Sequence, residues 1–164
     1  KTFYARFTDK AEVFDAVVTG YTERNIQNGE VAALVGNGDL AEQLYQLACH
    51  LLNWTLTPNV LGIYRVAMAE SQRFPELARK VFTSPVAGSG AQVAGLLRAH
   101  LGDRLDPQEA RIMSMHFLSS AISPPFMRAM QGLVPPELTD VQRLHLKRVI
   151  GWYLDGVLPK TGAV

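Results

Sequence analysis

An all-α fold is predicted from three observations. Apolar residues recur at intervals of three and four along most of the chain, no segment alternates convincingly with period two, and most periodic runs open on an N-cap signature. The first run extends from Asp9 to about Gln27. Asp9 and Glu12 have the spacing of a capping box, and Phe14, Val17, Val18 and Tyr21 share one helical face. Asn28-Gly29 and Gly36-Asn37-Gly38 mark loops before Asp39 and Glu42 repeat the capping signature ahead of Leu40, Leu44, Leu47, Leu51 and Trp54. Thr57-Pro58 places a cap and then a proline at the first helical position, where its missing donor costs nothing, with Leu61, Tyr64 and Met68 in step behind it.

Phe74-Pro75 breaks that third helix. A short helix is predicted around Glu76 to Phe82, followed by a flexible joint at Ser84-Pro85 and Gly88-Ser89-Gly90, after which Val93, Leu96, Leu97 and Leu101 resume the period. Asp106-Pro107-Gln108-Glu109 opens the next helix, carrying Ile112, Met113, Met115, Phe117 and Leu118, and Ser123-Pro124 interrupts or restarts it. After Gly132 and Pro135-Pro136, Thr139 with Gln142 caps a last long helix with a stripe of Leu146, Val149, Ile150, Tyr153, Leu154 and Val157, ending near Pro159.

Composition sets the outer bounds. At 164 residues and 48% hydrophobic, the chain suits one domain with a substantial core. Sixteen basic against fifteen acidic residues leave a formal net charge of +1, so any nucleic-acid contact must rest on local residues. Cys49 is the single cysteine, which removes an intramolecular disulfide and a multi-thiolate zinc site and suits a reducing compartment. No run approaches the roughly 20 apolar residues of a spanning helix, and a cytoplasmic location with no membrane partner is expected.

Catalytic and cofactor chemistry find no support in the residue pattern. His50, His100, His116 and His145 lack the i, i+3 or i, i+4 spacing of a helical metal site. Arg65 and Glu70, five apart, point to different faces of a helix, which fits an ion pair or a capping role better than catalysis. Cys49 and His50 are adjacent and diverge by about 100° around the helix axis, so they cannot form a dyad. Gly88-Ser89-Gly90 lacks the Lys and the preceding strand of a phosphate loop. No enzyme activity, metal or cofactor is expected.

Two stretches carry a resemblance. Thr2-Phe3-Tyr4, then Phe7, then Asp9-Lys10 and an apolar helix, resembles the end of a TetR-type helix-turn-helix, whose recognition helix closes on Thr-Leu-Tyr or Thr-Phe-Tyr. The stretch from Ile63 to Leu77, with Arg65, Glu70 and Arg73-Phe74-Pro75-Glu76-Leu77, resembles the passage between the sixth and seventh helices of TetR regulators with an AefR-like C-terminal domain. The resemblance implies that residues 1–8 end the recognition helix and that residues 9–164 form a ligand-binding and dimerisation domain. The first two helices of the DNA-binding head and the start of the third would lie upstream of Lys1. Thr2, Tyr4 and Lys10 are then expected to contact DNA phosphates, two through hydroxyls and Lys10 at a helix N-terminus, positioning the protein without reading bases.

The same resemblance implies an effector pocket among the second to fifth helices of this domain. Phe14, Tyr21, His50, Trp54, Tyr64, Met68, Leu97, Met113, His116 and Phe117 are its candidate lining, because methionine and aromatic side chains repack around varied apolar ligands. His116 and then Tyr64 are the expected polar contacts. Regulators of this family pair their last two helices into a four-helix bundle, and Leu118, Ile122, Leu144, Ile150 and Tyr153 are the corresponding interface candidates for a homodimer. The expected function is a repressor released from operator DNA by a small hydrophobic or aromatic effector. An all-α adaptor and an uncharacterised helical enzyme are the alternatives.

Overall fold

The computed structural model describes Glu12, Ala16 and residues 38–102 and 105–157, and among them every regular element is helical. Glu12 and Ala16 are helical, and the rest of the predicted 9–27 helix lies outside the described residues, as do Thr2, Tyr4, Lys10, Phe14 and Tyr21. Six helices follow: α1 Leu40–Thr55, α2 Pro58–Ala69, α3 Pro75–Leu101, α4 Pro107–Ala121, α5 Ser123–Met130 and α6 Asp140–Val157.

The caps predicted at Asp39, Asp106 and Thr139 form, while the one at Asp9 lies outside the described residues. The Glu42 N–H donates to Asp39 Oδ1 at 2.9 Å, and Asp106 Oδ1 accepts from Gln108 N and Glu109 N at 2.8 and 3.3 Å. Before α6 the box is reciprocal, with Thr139 N donating to Gln142 Oε1 at 2.8 Å and Gln142 N donating to Thr139 Oγ1 at 3.3 Å. Thr57 departs from the expectation. Its hydroxyl donates back to the Trp54 carbonyl at 2.9 Å and makes no cap bond, so it binds the last turn of α1 instead of the first turn of α2.

The predicted joint in the fourth segment is absent. Residues 75–101 form one continuous helix of 27 residues, about 40 Å long, through Pro85, Gly88 and Gly90. Pro85 removes one donor and the glycines lower helix propensity, yet Val81, Val93, Ala94 and Leu97 are all buried along this helix, and α4 packs against it. Gly90 lies beside α4, where an added Cβ would stand 3.6 Å from Ser114 Oγ. Burial of a shared face thus overrides local breakers, because most helical stability in proteins comes from packing.

Ser123-Pro124-Pro125 does restart the chain. α5 is a separate helix after Ile122, and it ends in a Schellman motif, where Leu133 N donates to Arg128 O at 2.9 Å and Gly132 N to Ala129 O at 3.0 Å. Gly132 holds the left-handed conformation this requires, with φ of 73°. The core runs through all six helices, with Leu44, Leu47, Leu61, Val93, Leu97, Phe117 and Leu146 fully enclosed. No helix among the described residues is long and apolar enough to cross a membrane.

Candidate ligand site and exposed apolar face

Tyr64 stands where three helices meet. It is 7% exposed on α2, and its ring meets Phe82 of α3 edge-on at 5.3 Å and 70°, and Phe126 of α5 at 4.8 Å and 75°. Such edge-to-face contacts align the positive ring edge with the negative ring face. The Tyr64 hydroxyl has no hydrogen-bond partner among the described residues, and burial alone pushes its pKa from 10.0 to about 12, so the phenol stays protonated and able to donate at neutral pH.

The neighbouring Arg65 fixes this arrangement. Its Nε donates to the Met130 carbonyl and its Nη2 to the Ala129 carbonyl, both at 2.8 Å, so one guanidinium satisfies the C-terminal carbonyls of α5 and holds α5 against α2. This is the capping role expected for Arg65, with partners about 65 residues away in sequence. Beside it, Pro58, Leu61, Leu133, Val134 and Pro135 help to wall an open cleft of about 540 Å³.

The predicted lining residues separate into groups. Tyr64 joins the aromatic trio, while His50 and Trp54 on α1 and Met113 on α4 are half-buried. Leu97 and Phe117 are fully enclosed by protein, Phe117 lying edge-on to Tyr153 at 5.3 Å. Met68 and His116 stand instead at the surface. The helical turn explains His116, because Phe117 and Ser114 face inward and a rotation of about 100° per residue carries His116 outward. Phe82 and Phe126 were not among the sequence candidates. Each lies in a short, proline-bounded stretch, and nothing in the spacing brings either one to Tyr64.

A second polar group lies on the seam between α1 and α6. Arg143 Nη1 donates toward Cys49 Sγ at 3.7 Å, and the Lys147 ammonium sits 4.9 Å from the centre of the Tyr45 ring. Burial and then the Cys49 contact raise the Tyr45 phenol above its ordinary value, and Arg143 acts in the opposite direction. No cluster of His, Cys, Asp or Glu that could hold a metal occurs among the described residues.

The interface candidates also divide. Leu118 and Ile150 are buried within the protomer, Ile150 to 2% exposure, while Ile122 and Tyr153 are half-buried, with the Tyr153 hydroxyl donating to the Met113 carbonyl at 3.0 Å. Leu144 is 55% exposed, and Val141 and Trp152 on α6, with Trp152 66% exposed, and Ile112 and Met115 on α4 are exposed large apolar side chains as well. α6 is therefore apolar on two sides. Leu146, Val149, Ile150 and Leu154 face the core, while Val141, Leu144 and Trp152 face out.

The family model described as AefR-like transcriptional repressor, C-terminal domain, matches residues 42–154. A crystal structure from Mesorhizobium loti, assigned to the TetR family of transcriptional regulators, is similar to this chain with a TM-score of 0.74 at 19% identity, covering 93% of this chain and 77% of that one. At that identity the similarity is one of fold. No curated protein sequence matches the chain.

Proposed function

Since this chain belongs to the TetR family of transcriptional regulators, with an AefR-like C-terminal domain, we propose that it is a ligand-responsive repressor, released from operator DNA when a small, largely apolar effector binds. The family match carries the reading: it runs from Glu42 to Leu154 and so spans both the helices around Tyr64 and the exposed face of α4 and α6. The effector region in this proposal is built from Tyr64, the half-buried His50, Trp54 and Met113, and the sequence candidates Phe14 and Tyr21, with the surface residues Met68 and His116 outside it. The mechanism is a population shift, in which the ligand favours a domain shape that moves the helix starting at Asp9, and with it the DNA-reading head, out of operator register.

The protein acts as a homodimer in this reading. Val141, Leu144 and Trp152 share one side of α6, and pairing α4 and α6 across a two-fold axis would cover them together with the exposed Ile112 and Met115 of α4. A two-fold protein then matches a palindromic operator. Thr2, Tyr4 and Lys10 supply phosphate contacts, in the cytoplasm where operator DNA resides.

Selection of bound duplexes from a random pool tests the proposal, using the protein with a complete helix-turn-helix ahead of Lys1. The expected result is a palindromic sequence bound by the dimer, with Lys10→Ala weakening all sequences alike and lowering the salt slope by about one. Failure to select any duplex would sink the regulator reading, and so would an asymmetric site bound by one protomer.

A further inference from the structure

We propose that the cleft between the start of α2 and the loop after α5 is a separate ligand site, which takes a small carboxylic acid with an aliphatic body. Its walls share no residue with the effector region proposed above, so this inference goes beyond the regulator reading and does not depend on it.

The carboxylate requirement comes from Arg65. A guanidinium carries five N–H donors, and Arg65 uses two of them, from Nε to the Met130 carbonyl and from Nη2 to the Ala129 carbonyl, both at 2.8 Å. Those bonds occupy one edge of the planar fork. The other edge, formed by Nη1 and the second N–H of Nη2, has no protein partner among the described residues, and no carboxylate among them pairs with Arg65. A carboxylate can meet that edge with two parallel hydrogen bonds. The cation is already held in place by the end of α5, so little side-chain freedom is lost when the ligand arrives. Among the described residues lining the cleft, Arg65 is the one charged side chain, and no acidic group stands there to repel an anion.

The aliphatic requirement comes from the walls. Pro58, Leu61, Leu133, Val134, Pro135 and Pro136 enclose about 540 Å³, within the range of small-molecule pockets, and no aromatic ring is among them for a flat ligand to stack on. The walls are also preset. Leu61 is buried in the core, the turn at Gly132 is closed by the bonds from Leu133 N to Arg128 O and Gly132 N to Ala129 O, and two consecutive prolines fix their own φ angles. One cation beside an apolar surface suits one charged group on an apolar chain better than a sugar or a nucleotide, which would need many more polar partners.

Three probes separate these contributions in NMR titrations of the full chain at neutral pH: octanoate, octanol and acetate. Octanoate should shift the amide signals of Gly132, Leu133 and Val134 saturably. Octanol, with the same chain length and no charge, should bind about fivefold more weakly, the scale expected of an exposed ion pair, and acetate should not saturate. Equal affinity for octanoate and octanol would overturn the assignment, and so would octanoate shifts confined to the signals of His50, Trp54 and Met113. A matched pair of variants gives a second test. Leu133 is 65% exposed, so Leu133→Gln and Leu133→Glu both leave the core intact and differ only in charge. The carboxylate of Leu133→Glu enters the cleft and competes for Arg65, so it should weaken octanoate binding about fivefold more than Leu133→Gln does, with octanol binding equal in the two. Equal loss of octanoate in both variants would remove Arg65 from the site.

Discussion

Arg65 shows how much one side chain can carry and how little of that is visible in sequence. Arg65→Ala removes both bonds to the end of α5 and should destabilise the protein by about 1–3 kcal/mol in urea unfolding, toward the lower end because the residue is exposed. Arg65→Lys should recover only part of this, since an ammonium lacks the planar fork that meets two adjacent carbonyls. The sequence favours a structural role for Arg65, but its partners are set by the folded path of the chain. The same holds for Tyr64, whose burial is legible from its helical face while its contacts with Phe82 and Phe126 are not. His116 was misplaced for a local reason, because the wide apolar run around Met113, Met115 and Phe117 conceals which side of α4 faces in. Tyr64 and Tyr153 both have pKa values raised to about 12, so each favours the folded state fully below pH 10, where the unfolded phenol is also protonated. That contribution should be lost as pH rises from 10 toward 12. Absorbance at 295 nm should show at least two of the five tyrosines ionising later in the folded protein than in denaturant. Simultaneous ionisation of all five near pH 10 would contradict the burial of these rings.

At the scale of elements, the ends of helices were readable and the middle of α3 was not. Capping is a contact between residues two or three apart, so Asp39, Asp106 and Thr139 could be identified from spacing alone. Continuity through Pro85 depends on α3 having α4 alongside, which is information held elsewhere in the chain. The glycines give opposite predictions according to conformation. Gly90→Ala should stabilise by about 0.5–1 kcal/mol, because the new methyl fits against Ser114 and Leu118 and helix propensity improves, and the melting temperature should rise by roughly 1–4 °C. Gly132→Ala should destabilise by about 1 kcal/mol, because φ of 73° is strained for any residue with a Cβ. Thermal melts of the two variants check both signs, and equal shifts in one direction would refute the account.

For the whole molecule, the two apolar sides of α6 should respond differently to the same kind of insult. Trp152→Glu is expected to leave helical content unchanged and to convert the proposed dimer to monomer in sedimentation velocity, because the side chain is 66% exposed in the protomer. Ile150→Asp should instead unfold the chain, since a buried unpaired carboxylate costs several kcal/mol. Monomeric but folded Ile150→Asp would contradict its place in the core. The fold class and the presence of surplus apolar surface were legible in the sequence. The division of that surface between core and exterior was not, because periodicity counts apolar positions without saying which neighbour covers them. The division has an evolutionary consequence. Tyr64, Phe82 and Phe126 lie on α2, α3 and α5, whereas the outward patch lies on α4 and α6, so no residue belongs to both sets. Under the proposed function, substitutions around Tyr64 that alter the choice of small molecule can therefore accumulate without disturbing the outward side of α4 and α6, and a lineage of such proteins can diversify in what it senses while keeping one way of pairing.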